Sequence, residues 1–183
     1  MANVPSYTLN NITLGPGILY LGVAGTTPSR DVGAISEDGM TFNVTRTFLE
    51  VFQGQPKTLI KTFPTEETVE LTCNTIEWNL NNLPLALGAG ATSSSATQDV
   101  FSFGGDPDND QVAVHVQHAL PSGHTISIYM WSAQPSGEWS MDMKQDTLHT
   151  FPYSFKAIES TVDWGGTALP VGQRLFRIVR FKS

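Results

Sequence analysis

The residues able to do chemistry in this chain are few, and their spacing keeps them apart. His115 and His118 stand three positions apart on a predicted strand, so their imidazoles project from opposite faces. His124 and His149 fall in or near turns. With a single cysteine, Cys73, no zinc-binding set of His and Cys can be assembled. Asp106, Asp108 and Asp110 alternate as in the opening of a calcium loop. Gln111 then stands where such a loop needs glycine, and no glutamate closes it, so a solvated acidic turn is expected. Glu66 and Glu67 are adjacent on a strand and cannot converge with Glu77 on one bond, which leaves them a surface role. There is no Gly-x-Ser-x-Gly elbow and no phosphate loop ending in Gly-Lys-Ser. Gly88-Ala89-Gly90 ends a helix instead of opening one. Cys73 lies on the apolar face of a predicted strand, where a thiol is buried and inert. Trp78, Trp131, Trp139 and Trp164 would need to lie coplanar on one exposed face to bind a sugar; packing in a core or an interface is the expectation. These observations point to a protein that is not an enzyme, with no metal and no cofactor.

The elements that must position other functions are mostly strands. Met40 to Phe52 alternates, with Phe42, Val44, Arg46 and Phe48 on one face and Thr41, Asn43, Thr45, Thr47 and Leu49 on the other. Gly54-Gln55-Pro56 supplies a turn, and a return strand is clearest from Thr68 to Ile76. Val69, Leu71, Cys73 and Thr75 share one of its faces; Thr68, Glu70, Thr72 and Asn74 share the other. The period then changes from 2 to about 3.6 at Leu80, Leu83 and Leu87. Pro84 is tolerated only in a first turn, so this short helix starts near Leu83 and is capped by Gly88. Shorter strands are expected at Ile18 to Val23, Val32 to Ile35, Asp99 to Gly104, Gln111 to Leu120, His124 to Ala133, Phe151 to Glu159 and Gly172 to Lys182. Turns are expected at Glu37-Asp38-Gly39, Pro121-Ser122-Gly123 and Trp164-Gly165-Gly166. Ala89 to Gln98 reads as a surface loop, while Met141 to His149 fits either an irregular or a partly helical segment.

The 183 residues fit one domain, able to bury roughly 70% of its unfolded surface without disulfides. The fold class expected is all-β with one short flanking helix: two packed β-sheets, as a barrel or sandwich, with a long protruding hairpin at 46–61. Residues 1–15 read as an extended arm. No apolar run approaches the length of a membrane helix, and Met1 to Asn11 has neither the basic region nor the apolar core of a signal peptide. Folding in a reducing cytosol is expected. The formal charge of −7 is not a nucleic-acid-binding balance. The one basic cluster, Arg174, Arg177, Arg180 and Lys182, is expected on a solvated or subunit-contact face.

The order of these features resembles the major tail tube proteins of long-tailed bacteriophages. The similarity is carried by Gly17 to Gly22 (GILYLG), Val32 to Gly39 (VGAISEDG), Met40 to Thr45 (MTFNVT) and Thr65 to Thr72 (TEETVELT). Ile76 to Gly88 (IEWNLNNLPLALG) and Phe151 to Ala157 (FPYSFKA) extend it over most of the chain. Pro84 departs from the usual helix of that family.

The resemblance implies a structural virion protein made in the host cytoplasm. Six copies form a ring, and rings stack into a hollow tube that conducts double-stranded DNA during ejection without binding it specifically. It also implies contacts with a tape measure, a terminator and a distal tail protein, and none with a membrane. On that basis the lumen-facing residues are expected to be Asn43, Thr45, Glu70, Thr72 and Asn74, with Phe42, Val44, Leu71 and Cys73 buried between sheets. Six chains would place about −42 charges on a ring, repelling phosphate. Subunit and ring contacts are expected from Arg46, Phe48, Glu50, Phe52, Gln55, Lys57, Leu59 and Lys61 on the hairpin, and from Tyr7 and Leu9 on the arm. The related tube of a contractile injection device ranks below this reading, although the sequence does not separate the two cleanly, because the sheath that distinguishes them is another protein. From a different class, a monomeric β-sandwich binding carbohydrate or protein through a solvent-facing aromatic patch is the alternative.

Overall fold

A computed structural model describes residues 14–105, 108–141, 145–146 and 148–182. Ten strands follow one another: β1 (Ile18–Val23), β2 (Arg30–Asp31), β3 (Ile35–Gln53), β4 (Thr58–Thr75), β5 (Ala91–Ser94), β6 (Asp99–Ser102), β7 (Val112–Ala119), β8 (Thr125–Pro135), β9 (Phe151–Ala157) and β10 (Arg177–Phe181). Between β4 and β5 a 3₁₀ turn, Leu80–Asn82, runs into the helix α1 (Leu83–Leu87). The fold is all-β with one short helical segment. A large antiparallel sheet has the order β2-β1-β7-β8-β9-β4-β3, with β10 also on β8, and β5 and β6 form a small second sheet.

β8 organises the large sheet. β7 pairs one of its edges from Ala119↔Thr125 to Val112↔Ala133. The opposite edge is shared: β10 takes Thr125 to Tyr129, and β9 takes Ala133 to Pro135. The sheet therefore divides into two wings, and the wings pack on each other. Leu19 and Leu21 of β1, Val112, Val114 and Val116 of β7, and Met130 of β8 meet Leu71 and Cys73 of β4 and Phe151, Tyr153 and Phe155 of β9 in one core. These residues alternate along their strands, as burial of one face requires. Phe176, just ahead of β10, closes the core edge-on against Phe42 of β3, with ring centroids 5.2 Å apart.

The helical segment adds Leu85 and Ala86 to this core, and Leu83 beside them is buried too. Pro84 sits in its first turn, where a missing N–H costs nothing. Gly88 ends it in the left-handed region at φ 66°. A Cβ there would collide with the Asn109 carboxamide, so both the dihedral and the space exclude other residues.

Several local expectations are corrected. Glu37-Asp38-Gly39 is not a turn but lies inside β3, whose partner slips from Ile35↔Thr75 to Met40↔Cys73. The extra residues are absorbed in an irregularity that only a glycine at φ 73° (Gly39) accommodates cheaply. The extended pair upstream is Arg30–Asp31 rather than Val32 to Ile35. Ala89 to Gln98 is not wholly a loop, because β5 pairs β6 there from Ala91↔Ser102 to Ser94↔Asp99. All four β5 side chains are exposed, so no burial pattern betrayed that strand. β4 begins at Thr58, ten residues before the return strand was legible. β10 is confined to Arg177–Phe181.

Phe155 is fully buried at the contact of the two wings. Phe155→Ala is expected to lower unfolding free energy by about 3–5 kcal/mol, measured by urea denaturation, because the cavity is lined from both wings and cannot collapse.

Candidate functional site

The hairpin β3–β4 is the most distinctive surface. The two strands pair from Ile35 to the turn at Gly54–Lys57, but β9 supports β4 only from Glu70 to Thr75. Beyond Glu70 the hairpin stands as a two-stranded ribbon. Two irregularities on β4 shape it, where Thr65 and Ile60 have no single partner on β3.

One face of the ribbon begins in the core and ends in solvent. Met40↔Cys73, Phe42↔Leu71 and Val44↔Val69 are cross-strand pairs on this face. Leu71 and Cys73 are buried, as expected, whereas Phe42, expected to be buried with them, is half-buried at the edge of the core. Val44 is not buried: it is 48% exposed, because Phe176 caps Phe42 and no described residue of the opposite wing covers the next position outward. Further out on this face come Arg46, Phe48, Glu50, Phe52 and Leu59. Arg46 holds Glu67 at 2.6 Å and lies 5.5 Å from the Phe48 ring centre. Both partners of that ion pair are about half exposed, so it steers geometry more than stability. Gln55 and Lys57 occupy the turn. Lys61, expected beside them, is on the opposite face. The irregularity at Ile60 moves it across, where it pairs Val51 and stacks 4.5 Å above the Phe63 ring. Leu49, Ile60 and Phe63, which the sequence reading did not single out, are exposed too. The signal was there in the alternation of Leu59, Lys61 and Phe63, but the irregularities break its phase. Tyr7 and Leu9 lie outside the described residues.

The second face of the hairpin root is polar. Asn43 pairs Glu70, Thr45 pairs Thr68, and Thr41 pairs Thr72, so Asn43, Thr45, Glu70, Thr72 and Asn74 do share one face. All are exposed except the half-buried Asn74. Across β9 the same face continues with Pro152, Ser154 and Lys156, and Lys156 pairs Gln134 of β8. A row Asn43–Glu70–Lys156–Gln134 thus crosses four strands. In this row Glu70 stands beside Lys156, and Glu66, paired with Thr47 further out on the same face, adds a second acid. Lys156 and Ser154 were missed because their partner strand cannot be known before the fold is.

A third feature lies on the outer side of the other wing. Tyr20, His115 and Tyr129 pair directly across β1, β7 and β8. Their rings stack at 5.7 and 4.8 Å, and Trp131 stacks on Tyr129 at 5.6 Å. Trp164 lies across His115, Tyr129 and Trp131 at centroid distances of 5.9, 5.2 and 5.2 Å. Its indole N–H donates to the Trp131 carbonyl at 3.1 Å, and the Trp131 indole donates to the Gln173 carbonyl at 3.1 Å. The rings turn their faces to each other, and the row fastens the segment between β9 and β10 to the sheet. Trp139 packs against the core, and Trp78, half exposed, meets Phe151 edge-on.

Among the described residues no group of three or more His, Cys, Asp or Glu side chains could hold a metal ion. Burial pushes the Cys73 thiol up to about 12 and the Tyr153 hydroxyl up to about 12, so neither ionises near neutrality. A cavity of about 610 Å³ opens beside the ribbon, between Glu67, Ile158, Val171 and Phe176. Its charged rim is already spent on two ion pairs, Arg46–Glu67 and Arg174–Glu159. No described helix is long and apolar enough to cross a membrane. No protein-family model matches the chain, and no curated protein matches it significantly.

His115 gives this surface a pH dependence. Its Nε2 is buried without a hydrogen-bond partner, and desolvation lowers its pKa below the ordinary 6.5. A depressed histidine stabilises the fold above its unfolded value, and that stability drains away as pH falls below about 6.5. Urea unfolding between pH 7.5 and 5 is expected to show this loss. His115→Phe, which keeps a ring in the stack, should flatten the slope.

Proposed function

We propose that this chain is the subunit of a bacteriophage tail tube: hexameric rings stack into a hollow tube that conducts double-stranded DNA, with no catalytic step. The observation that carries the reading is the ribbon beyond Glu70. It spends a long stretch of chain outside the core, and it exposes Phe48, Leu49, Phe52, Leu59, Ile60 and Phe63. A monomer gains nothing from such a projection, and an exposed apolar strand pair invites uncontrolled association unless a partner covers it. A repeating assembly covers it in every copy.

The wall of the conduit is the polar face carrying Asn43, Thr45, Glu70, Thr72 and Asn74. A channel for DNA must neither grip phosphate nor offer apolar footholds to bases. Short hydroxyl and amide side chains, with Glu66 and Glu70 against the one base Lys156, meet both needs. Tape measure, terminator and distal tail proteins are the further partners of this reading, and the virion is its location. A carbohydrate-binding module is less well supported, because the stacked row at His115 directs its ring faces inward.

Negative-stain electron microscopy of the purified protein over a concentration series is expected to show hollow rods or six-fold rings. A single small species at every concentration would count against the tube. Glu70→Lys places two lysines side by side in each subunit, hence a ring of about twelve cations in the lumen. Ejection from assembled virions carrying this variant is expected to slow, and more so at low salt. Unchanged ejection kinetics would remove Glu70 from the wall.

A further inference from the structure

Near the start of β3 the two-residue period fails. Between Ile35↔Thr75 and Met40↔Cys73 the chain advances five residues on β3 against two on β4. A regular strand would send Ser36, Glu37 and Asp38 to alternating sides. Here all three line one hollow of about 530 Å³, together with Ile76, Leu148 and Thr150. Three adjacent strands meet at this place, because Ile35 pairs Thr75 and Thr75 pairs Phe151. Thr75 and Phe151 are buried, so Ile76 and Thr150, their next neighbours in the chain, project from the other face.

The lining has two chemically distinct parts. One is a run of three acceptors, the Ser36 hydroxyl and the carboxylates of Glu37 and Asp38. Ser36 is 6% exposed, and its Oγ is buried with no hydrogen-bond partner. Such a hydroxyl gains from any donor that reaches it. Glu37 and Asp38 are exposed, and among the described residues neither takes part in an ion pair or a side-chain hydrogen bond. No basic residue lines the hollow. The other part is apolar: Ile76 is half-buried and Leu148 is exposed.

We infer that this hollow binds a primary alkylammonium group. An ammonium has three N–H donors and accepts nothing, which matches Ser36 Oγ and the two carboxylates. Its alkyl stem lies along Ile76 and Leu148, as the stem of a lysine lies along apolar surface. A divalent metal ion is the poorer match, since it finds only two carboxylates here and has no use for the apolar wall. The formal charge of −7 draws cations of either kind, so the wall makes the choice. The hollow shares no residue with the ribbon beyond Glu70, with the proposed wall of the conduit or with the stacked rings at His115. The inference is independent of the tube reading.

Saturation-transfer NMR with cadaverine tests this on the whole chain, whether it is a free subunit or assembled. At about 0.15 M salt the cadaverine methylene protons are expected to take up saturation with a Kd of about 1 mM. Glu37→Gln with Asp38→Asn should weaken binding about tenfold or more, since both charge-assisted bonds are lost. Leu148→Ser should lower the transfer to the methylenes. All three positions are exposed, and unchanged far-ultraviolet circular dichroism and thermal unfolding check that each variant folds. Nα-acetyl-lysine amide separates two sources of the group: binding as tight as cadaverine assigns it to a lysine of another protein, weaker binding to a small free amine, and either upholds the site. Three results overturn it: no saturable transfer from wild-type protein, undiminished transfer in the carboxylate variant, or displacement by calcium or magnesium chloride at concentrations below that of cadaverine.

Discussion

Everything in this molecule depends on the divided edge of β8. One edge of that strand is occupied by β7 from Thr125 to Ala133, while the other passes from β10 to β9 within a few residues. A β-strand offers only two edges, so two neighbours on the same edge must diverge, and the sheet must open into two wings. Each wing has one apolar face, and the only economical arrangement brings those faces together. The core of Leu19, Leu21, Val114, Leu71, Tyr153 and Phe155 follows from that geometry, as does the gap that the Trp164 segment crosses. Where β9 and β10 separate, Ile158 N–H donates to the Ser132 carbonyl at 2.9 Å and begins the crossing.

The same division separates the surfaces. The wing built from β9, β4 and β3 turns a polar face outward and extends past the core as a ribbon. The wing built from β1, β7, β8 and β10 turns outward a row of stacked rings covered by chain. In the proposed assembly these surfaces have unlike duties: one passes a polymer without holding it, another holds the neighbouring copy, and the third keeps the subunit closed. None requires a nucleophile or a metal. The chemistry of the molecule is the chemistry of faces, decided by which residue of an alternating pair points which way.

Much of this was legible before the fold was known. Alternation fixed the faces of β3 and β4 near the core, because Phe42, Leu71 and Cys73 must be buried together and a one-residue slip would bury Asn43 and Glu70. Pro84 and Gly88 bounded the helix through backbone constraints that do not depend on tertiary context. What stayed hidden was long-range or irregular. β5 has no buried face to show a period. Lys61 crosses to the other side of the ribbon at an irregularity that no local propensity records. Val44 reads as core by its alternation, yet its burial depends on how far the opposite wing reaches, which only the completed fold decides. Lys156 joins the polar face through a partner strand some eighty residues distant in sequence.

The ribbon has one more property. Its backbone is held by a single ladder, with no third strand from Thr58 to Val69, and the irregularities at Thr65 and Ile60 are points where that ladder is already interrupted. A two-stranded ribbon resists stretching along its length but yields to bending and twisting, whereas the wings behind it are close-packed and stiff. In the proposed assembly, rings joined through such ribbons are rigid beads on compliant joints. A shaft built this way curves by small deflections shared among many joints, and its bore keeps its width because no strain reaches the wall.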